Sequence, residues 1–219
     1  MKCSGLVEKR RGDMEQNQKP SLGEITDLVC EFLEVAIHLV LSVRGLYPAE
    51  FFERRRHFNV PVQWARHPEL REYVHSAVTN LHSWIQQGIV EKVAIVILDN
   101  ARAPQERFIF KLQVDKLYSK DFPISELEYA LRAFYLKIPV SEPLLRPLPP
   151  DCTWEIVAYS KQLPGDGSSK GHFWVPADNG PWENPPHITP IKSMKSEPLV
   201  MQLYVEHPSV AEISVFRDV

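Results

Sequence analysis

Cysteine is scarce in this 219-residue chain: Cys3, Cys30 and Cys152 are too few and too scattered for a disulfide framework. No Asn-x-Ser/Thr acceptor occurs either, and both facts suit a reducing, intracellular compartment. Charge of one sign is also lacking. Lys+Arg number 25 against 28 Asp+Glu, a balance of −3. That argues against a strongly basic nucleic-acid binder and leaves room only for a local basic patch. Long hydrophobic runs are missing. The longest, Val35 to Val43, is about half of what a bilayer needs, so no membrane partner is expected. Residues 1–20 carry charge but no apolar stretch, which reads as a disordered arm rather than a secretory signal. Lys9-Arg10-Arg11 within it fits a nuclear-import element or a solvated tail.

The usual chemical motifs are absent as well. Gly165-Asp-Gly-Ser-Ser-Lys-Gly171 has the wrong spacing for a dinucleotide fingerprint and no Gly-Lys-Ser/Thr for a P-loop. No CxxC, HExxH or Cys/His cluster points to a metal, and no cofactor is expected. There is no Gly-x-Ser-x-Gly elbow. Cys30 sits on an amphipathic helix as a small hydrophobe, and nothing local would depress the pKa of Cys152. His75 and His82 read as solvated, and His38 as a core histidine with one hydrogen-bond partner. Arg54-Arg55-Arg56-His57 is the compact basic cluster; a solvated face explains it, and contact with phosphate is the rival.

What is present is a good core, with 44% hydrophobic residues. A capping box, Ser21 to Glu24, opens a helix over 21–45 whose second half is apolar all round, so it belongs at the centre against a sheet. Phe51 to Phe58 reads as a polar turn or short helix, and Asn59 to Gln63 as an edge strand. A second helix is predicted over Pro68 to Gln87, and a doubly buried strand over Val93 to Leu98. Its hairpin partner runs through Phe108, Phe110, Leu112 and Val114. A second capping box, Ser125 to Glu128, opens a third helix. Thr153 to Tyr159 and Leu199 to Val205 are strands. Eleven of the 19 prolines fall between Pro139 and Pro190, so 161–206 is predicted to be irregular until its last strand, with a flexible loop at Leu163 to Gly171. The class is α+β: three main helices packed on an antiparallel sheet. A body without catalytic residues, closed by a strand on a loop, suits a protein that binds another polypeptide at a sheet edge.

CEFLEVAIHLVLSVRGLYP (Cys30 to Pro48), NVPVQ (Asn59 to Gln63), HPELREYV (His67 to Val74), VEKVAIVILD (Val90 to Asp99), ERFIFKL (Glu106 to Leu112), LRAFYLKI (Leu131 to Ile138), WVPAD (Trp174 to Asp178) and MQLYVE (Met201 to Glu206) resemble the HORMA-domain family. The likeness runs from about Ile25 to Glu206 and is nearest to the branch that supplies a non-catalytic accessory subunit to translesion DNA polymerase zeta. It implies a HORMA domain over 21–206, with a core over 21–160, a mobile safety belt at about 161–206, and a flexible tail over 207–219. It implies no enzyme and a location in the nucleus, or in nucleus and cytoplasm both.

The resemblance also implies partners. A Pro-containing peptide of the polymerase catalytic subunit is held under the belt, flanked by Tyr73 and Trp174. Ile188, Gln202 and Tyr204 match the surface for the C-terminal domain of the deoxycytidyl-transferring translesion polymerase. Arg132, with Arg54, matches a self-association surface for a homodimer or HORMA heterodimer, and DNA contact is indirect. The alternatives are a checkpoint or meiotic HORMA regulator, direct DNA binding through Arg54 to Arg56, and a hydrolase using Cys30 or Cys152.

Overall fold

The computed structural model describes residues 20–115, 122–161, 174, 175, 177, 182 and 184–208. The arm before residue 20, the loop at Leu163 to Gly171 and the tail from residue 209 lie outside the described residues. The first helix, α1 (Leu22–Val43), starts where its sequence predicts. Ser21 accepts from the Glu24 N–H at 3.1 Å, and Glu24 returns the bond to the Ser21 N–H. Gly45 follows the helix end with φ +63°, a conformation that suits a residue without Cβ.

A 3-10 turn at Ala49–Phe51 leads into β1 (Phe52–His57), which pairs antiparallel with β2 (Val60–Ala65). The polar turn or helix expected at Phe51 to Phe58 is therefore mostly a strand. Its connection, Phe58-Asn59, places both residues at positive φ, as a two-residue hairpin requires. Phe58 can hold that strained position because its ring stacks on Tyr135 at 5.8 Å and meets His57 at 4.1 Å.

Helix α2 (Pro68–Gln86) follows, then β3 (Val90–Leu98) and β4 (Pro104–Val114). Helix α3 (Ile124–Ser141) begins on Pro123 with no side-chain cap, so the Ser125 capping box does not form. Strand β5 (Thr153–Ser160) returns to the sheet. The largest departure lies in the Pro-rich stretch, where His187–Ser196 forms a strand, β6, despite Pro190, with the register shifting between Pro190 and Lys192. Strand β7 (Leu199–His207) closes the sheet, and His207, expected to begin the tail, is its buried last residue.

The five-stranded sheet has the order β5-β3-β4-β7-β6, every pair antiparallel. Helix α1 lies against one face, enclosed by α2, α3 and the β1–β2 hairpin. Phe32 is the hub of this core: its ring stacks on Tyr135 at 5.1 Å and meets Phe134 and Phe110 edge-on. The expectation of three helices on an antiparallel sheet holds. One internal ion pair anchors the end of α1: Arg44 grips Glu106 through two nitrogens at 2.8 and 2.9 Å and donates to the Arg146 carbonyl. Glu106 is only 2% exposed, and burial pushes its carboxyl up even though Arg44 pulls it down.

Candidate functional site

The site grows from the two edges of the sheet. An edge strand presents unpaired backbone groups, a template for another chain. The β6 edge is blunted by Pro190, by the register shift beside it, and by Lys192 and Lys195. The β5 edge, Thr-Trp-Glu-Ile-Val-Ala-Tyr-Ser, carries no proline and no lysine. Among the described residues its only hydrogen-bonded neighbour strand is β3.

Helix α2 runs beside this edge. Tyr73 is 42% exposed although it lies on a helix facing the core. Its ring meets Trp154 of β5 edge-on at 5.5 Å. Burial raises its pKa, so the hydroxyl stays protonated at neutral pH. Trp154 donates its indole N–H to the Tyr47 hydroxyl at 2.9 Å. Tyr47 stacks on Phe51, and Phe51 on His67. Five rings from three parts of the chain thus form one wall at the start of β5. Of these five, only Tyr73 is a candidate from the sequence. The others carry no local pattern, because their contacts span up to 107 residues.

Trp174 packs on Trp84 near the far end of α2, ring centroids 6.3 Å apart. Tyr73 and Trp174 are therefore not neighbours. Eleven helical residues separate Tyr73 from Trp84, roughly 16 Å at 1.5 Å per residue. That span matches about five residues of extended chain.

The other face of the sheet is built in rows. Glu155, Val96, Arg107, Glu206 and Ile188 stand opposite one another across all five strands. Val157, Ala94, Ile109, Tyr204 and Pro190 form the next row, and Tyr159, Lys92, Lys111, Gln202 and Ser193 the third. Ile188, Tyr204 and Gln202 thus share one face in successive rows at the β6–β7 side, with Ile188 53% exposed. Trp182 lies on the first row: its indole donates to Glu206 at 3.0 Å, and the Arg107 guanidinium covers its ring at 4.3 Å. No sequence signal marked Trp182 beyond its being aromatic.

The remaining candidates sit elsewhere. Arg132 lies on the outer side of α3 over the Tyr129 ring at 4.9 Å, in a stripe that continues through exposed Leu136 and Val140. Arg54 is exposed on β1. The basic cluster around it is divided: Arg55 pairs with Glu53 and covers Trp64, while His57 reaches Glu31 at 2.8 Å and Tyr135 at 3.2 Å. His75 and His82 meet Glu34 and Asp27 of α1.

His38 departs from expectation. It is fully buried, with its ring 4.6 Å from that of Trp64, and neither ring nitrogen has a hydrogen-bond partner among the described residues. Burial, reinforced by the charges of Arg71 and Arg55, lowers its pKa to about 4. The Cys30 thiol is pushed up to about 12 by burial, with Asp27 and Glu34 adding to it, which removes thiolate character at neutral pH. Cys152 is shifted up as well, first by burial. Among the described residues no three His, Cys, Asp or Glu side chains converge as metal ligands, and no helix is long and apolar enough to cross a membrane.

Comparison with known proteins gives consistent results. The HORMA domain family model matches residues 26–127. The DNA polymerase zeta processivity subunit of Arabidopsis thaliana is 46% identical, over 91% of this chain and 93% of that protein. The human protein named mitotic spindle assembly checkpoint protein MAD2B is 38% identical, over 83% of this chain and 90% of its own length. A chain in the crystal structure of the mitotic checkpoint complex superposes with a TM-score of 0.69 at 22% identity, covering 84% of this chain and 99% of that one. Caenorhabditis elegans HTP-2, solved bound to the HIM-3 closure motif, gives 0.66 at 10% identity, covering 87% and 92%.

Proposed function

Because the chain belongs to the HORMA-domain family, we propose that it is a non-catalytic adaptor subunit of translesion DNA polymerase zeta. In this role it captures a Pro-containing peptide of the catalytic subunit along β5. The single observation that carries this reading is the asymmetry of the two sheet edges. One edge is blunted by proline, a register shift and lysines, and the other, among the described residues, pairs with β3 alone and runs beside half-exposed Tyr73. An extended peptide added there gains main-chain hydrogen bonds, and its side chains reach the aromatic wall on the helix side. Residues 161–206 act as a belt that encloses it, with Tyr73 and Trp174 at the two ends of the enclosed stretch. Enclosure slows release beyond what contact area alone gives.

The opposite side of the molecule serves a second partner. Ile188, Gln202 and Tyr204 present one flat face to the C-terminal domain of the deoxycytidyl-transferring translesion polymerase. The stripe of Tyr129, Arg132 and Leu136 on α3, with Arg54, serves self-association as a homodimer or HORMA heterodimer. DNA is contacted through the polymerases, and the working compartment is the nucleus. The processivity-subunit relative, alike over nine-tenths of this chain, supports this assignment. The MAD2B name supports a checkpoint regulator as the rival.

The test is binding of a labelled proline-containing peptide from the polymerase catalytic subunit to the full chain, in competition with a checkpoint-partner peptide. Capture of the polymerase peptide, weakened at least tenfold by Tyr73→Ala and by Trp174→Ala, supports the assignment. Preference for the checkpoint peptide, or capture indifferent to both substitutions, overturns it.

A further inference from the structure

The local basic patch that the charge balance leaves room for lies on the sheet, away from Arg54 to Arg56. In the third row of the face that carries Tyr204, Lys92 and Lys111 stand directly opposite each other on β3 and β4, flanked by Tyr159 and Gln202. The fourth row runs through Gln113, Val200 and Lys195. Lys161 joins them just past the end of β5, where its N–H bonds the Ile89 carbonyl at 3.0 Å. Lys111, Lys161 and Gln113 line one recess of 360 Å³, and Glu91 is the one acid on its wall among the described residues. Lys111, Lys161 and Lys195 are exposed and Lys92 is half-buried. Among the described residues no carboxylate pairs with any of the four.

The acids of this face stand apart from the lysines. Glu155 and Glu206 occupy the first row, roughly 13 Å away along the strands, and are engaged by Arg102 and the Trp182 indole. Asp115 and Glu197 lie beyond the fourth row, by the β6–β7 turn, where the Asp115 N–H bonds the Pro198 carbonyl.

We infer that this lysine face is a contact surface for the phosphate backbone of duplex DNA, made by the chain itself. Ammonium groups are point charges without the planar fork that reads a base edge, so they hold phosphate whatever the sequence. The Tyr159 ring already carries the Lys92 amine at 5.6 Å, so it is not a vacant platform for stacking a base. The charges spread across the five strands, a width of about 19 Å, and do not follow a single strand. That spread suits the two phosphate lines of a duplex better than the single line of an extended acidic peptide, which would need a strand edge or a side-chain pocket. The inference does not rest on the adaptor reading, in which DNA is reached through the polymerases. It adds a sequence-independent contact that borders the second docking face, since Gln202 stands in the third row.

The experiment is fluorescence anisotropy of a labelled DNA duplex titrated with the full chain over a range of salt. Each phosphate neutralised contributes about −0.9 to the slope of log K against log salt. Four lysines therefore give a slope of about −3.6, a loss of affinity of roughly 150-fold between about 50 and about 200 mM salt. Combining Lys92→Gln, Lys111→Gln, Lys161→Gln and Lys195→Gln should weaken binding at least tenfold at the lower salt and bring the slope close to zero. Lys111→Gln alone should reduce the slope by about one, which keeps the test valid if the fourfold variant fails to fold. AT-rich and GC-rich duplexes should bind alike. Absence of salt-dependent binding by the wild type overturns the inference. So does binding that survives the lysine changes and is lost with Arg54→Gln and Arg56→Gln, which would place the contact on β1. Displacement of the duplex by polyglutamate at equal charge overturns it in favour of an acidic polypeptide.

Discussion

His38 offers a stability test that depends on no partner. Its ring is buried between α1 and the β1–β2 hairpin against Trp64, and among the described residues neither nitrogen has a partner. Its pKa lies near 4 in the folded chain, against an ordinary value of 6.5. Between these values the unfolded chain binds the proton and the folded chain does not, so stability falls as pH falls. At pH 5 the unfolded imidazole is almost fully protonated and the folded one almost fully neutral. The loss between pH 7 and pH 5 is about 2 kcal/mol, at 1.36 kcal/mol per pKa unit. His207, also lowered to about 4 by burial with His187, Arg146 and Arg44 adding to it, and the carboxylates contribute pH dependence of their own. The informative quantity is therefore the difference between wild type and His38→Phe, which keeps a ring beside Trp64 and cannot titrate. Urea unfolding followed by far-UV circular dichroism at pH 7 and pH 5 measures it. The variant should lose about 2 kcal/mol less than wild type over that interval. It should be at least as stable at pH 7, because it removes two unpaired buried nitrogens. An equal pH dependence in both proteins would refute the reasoning.

Two further outcomes follow from the same geometry. Arg44→Ala strands the Glu106 carboxylate in the interior beside His207, 3.8 Å away. It should cost about 3–5 kcal/mol in urea unfolding at pH 7, and less at pH 5, where a carboxyl with a raised pKa accepts a proton. Replacing Ile188, Gln202 and Tyr204 together by alanine should abolish binding of the second polymerase domain in calorimetry. Peptide capture should stay within threefold of wild type, since none of the three faces β5.

Much of the fold was legible where a pattern ran long enough. The α1 capping box, the unbroken apolar run of β3 and the alternation of β7 each name an element on their own. Gln202 and Tyr204 fell on one face by that alternation alone. Strand β1 was not legible because only Phe52 of its six residues is buried, so no alternation exists to read. Its turn is Phe58-Asn59 rather than Asn-Gly, and the Phe58 ring is tolerated there only through its tertiary contacts with Tyr135 and His57. Strand β6 was hidden by Pro190 and a register shift, features that argue against a strand in sequence and in space mark a protected edge. Ile188 was grouped with Gln202 and Tyr204 through the family resemblance alone, and β6 supplies the register that puts it on their face. The aromatic wall and the seat of Trp182 depend on contacts between distant strands and helices, which no local window contains.

The most direct measurement is hydrogen exchange of the strand amides with and without the proline-containing peptide. If the peptide adds to the open edge, the outward amides of β5 gain protection and those of β6 exchange at the same rate as before. Protection gained along β6, or a bound peptide that leaves β5 unprotected, would contradict capture at that edge.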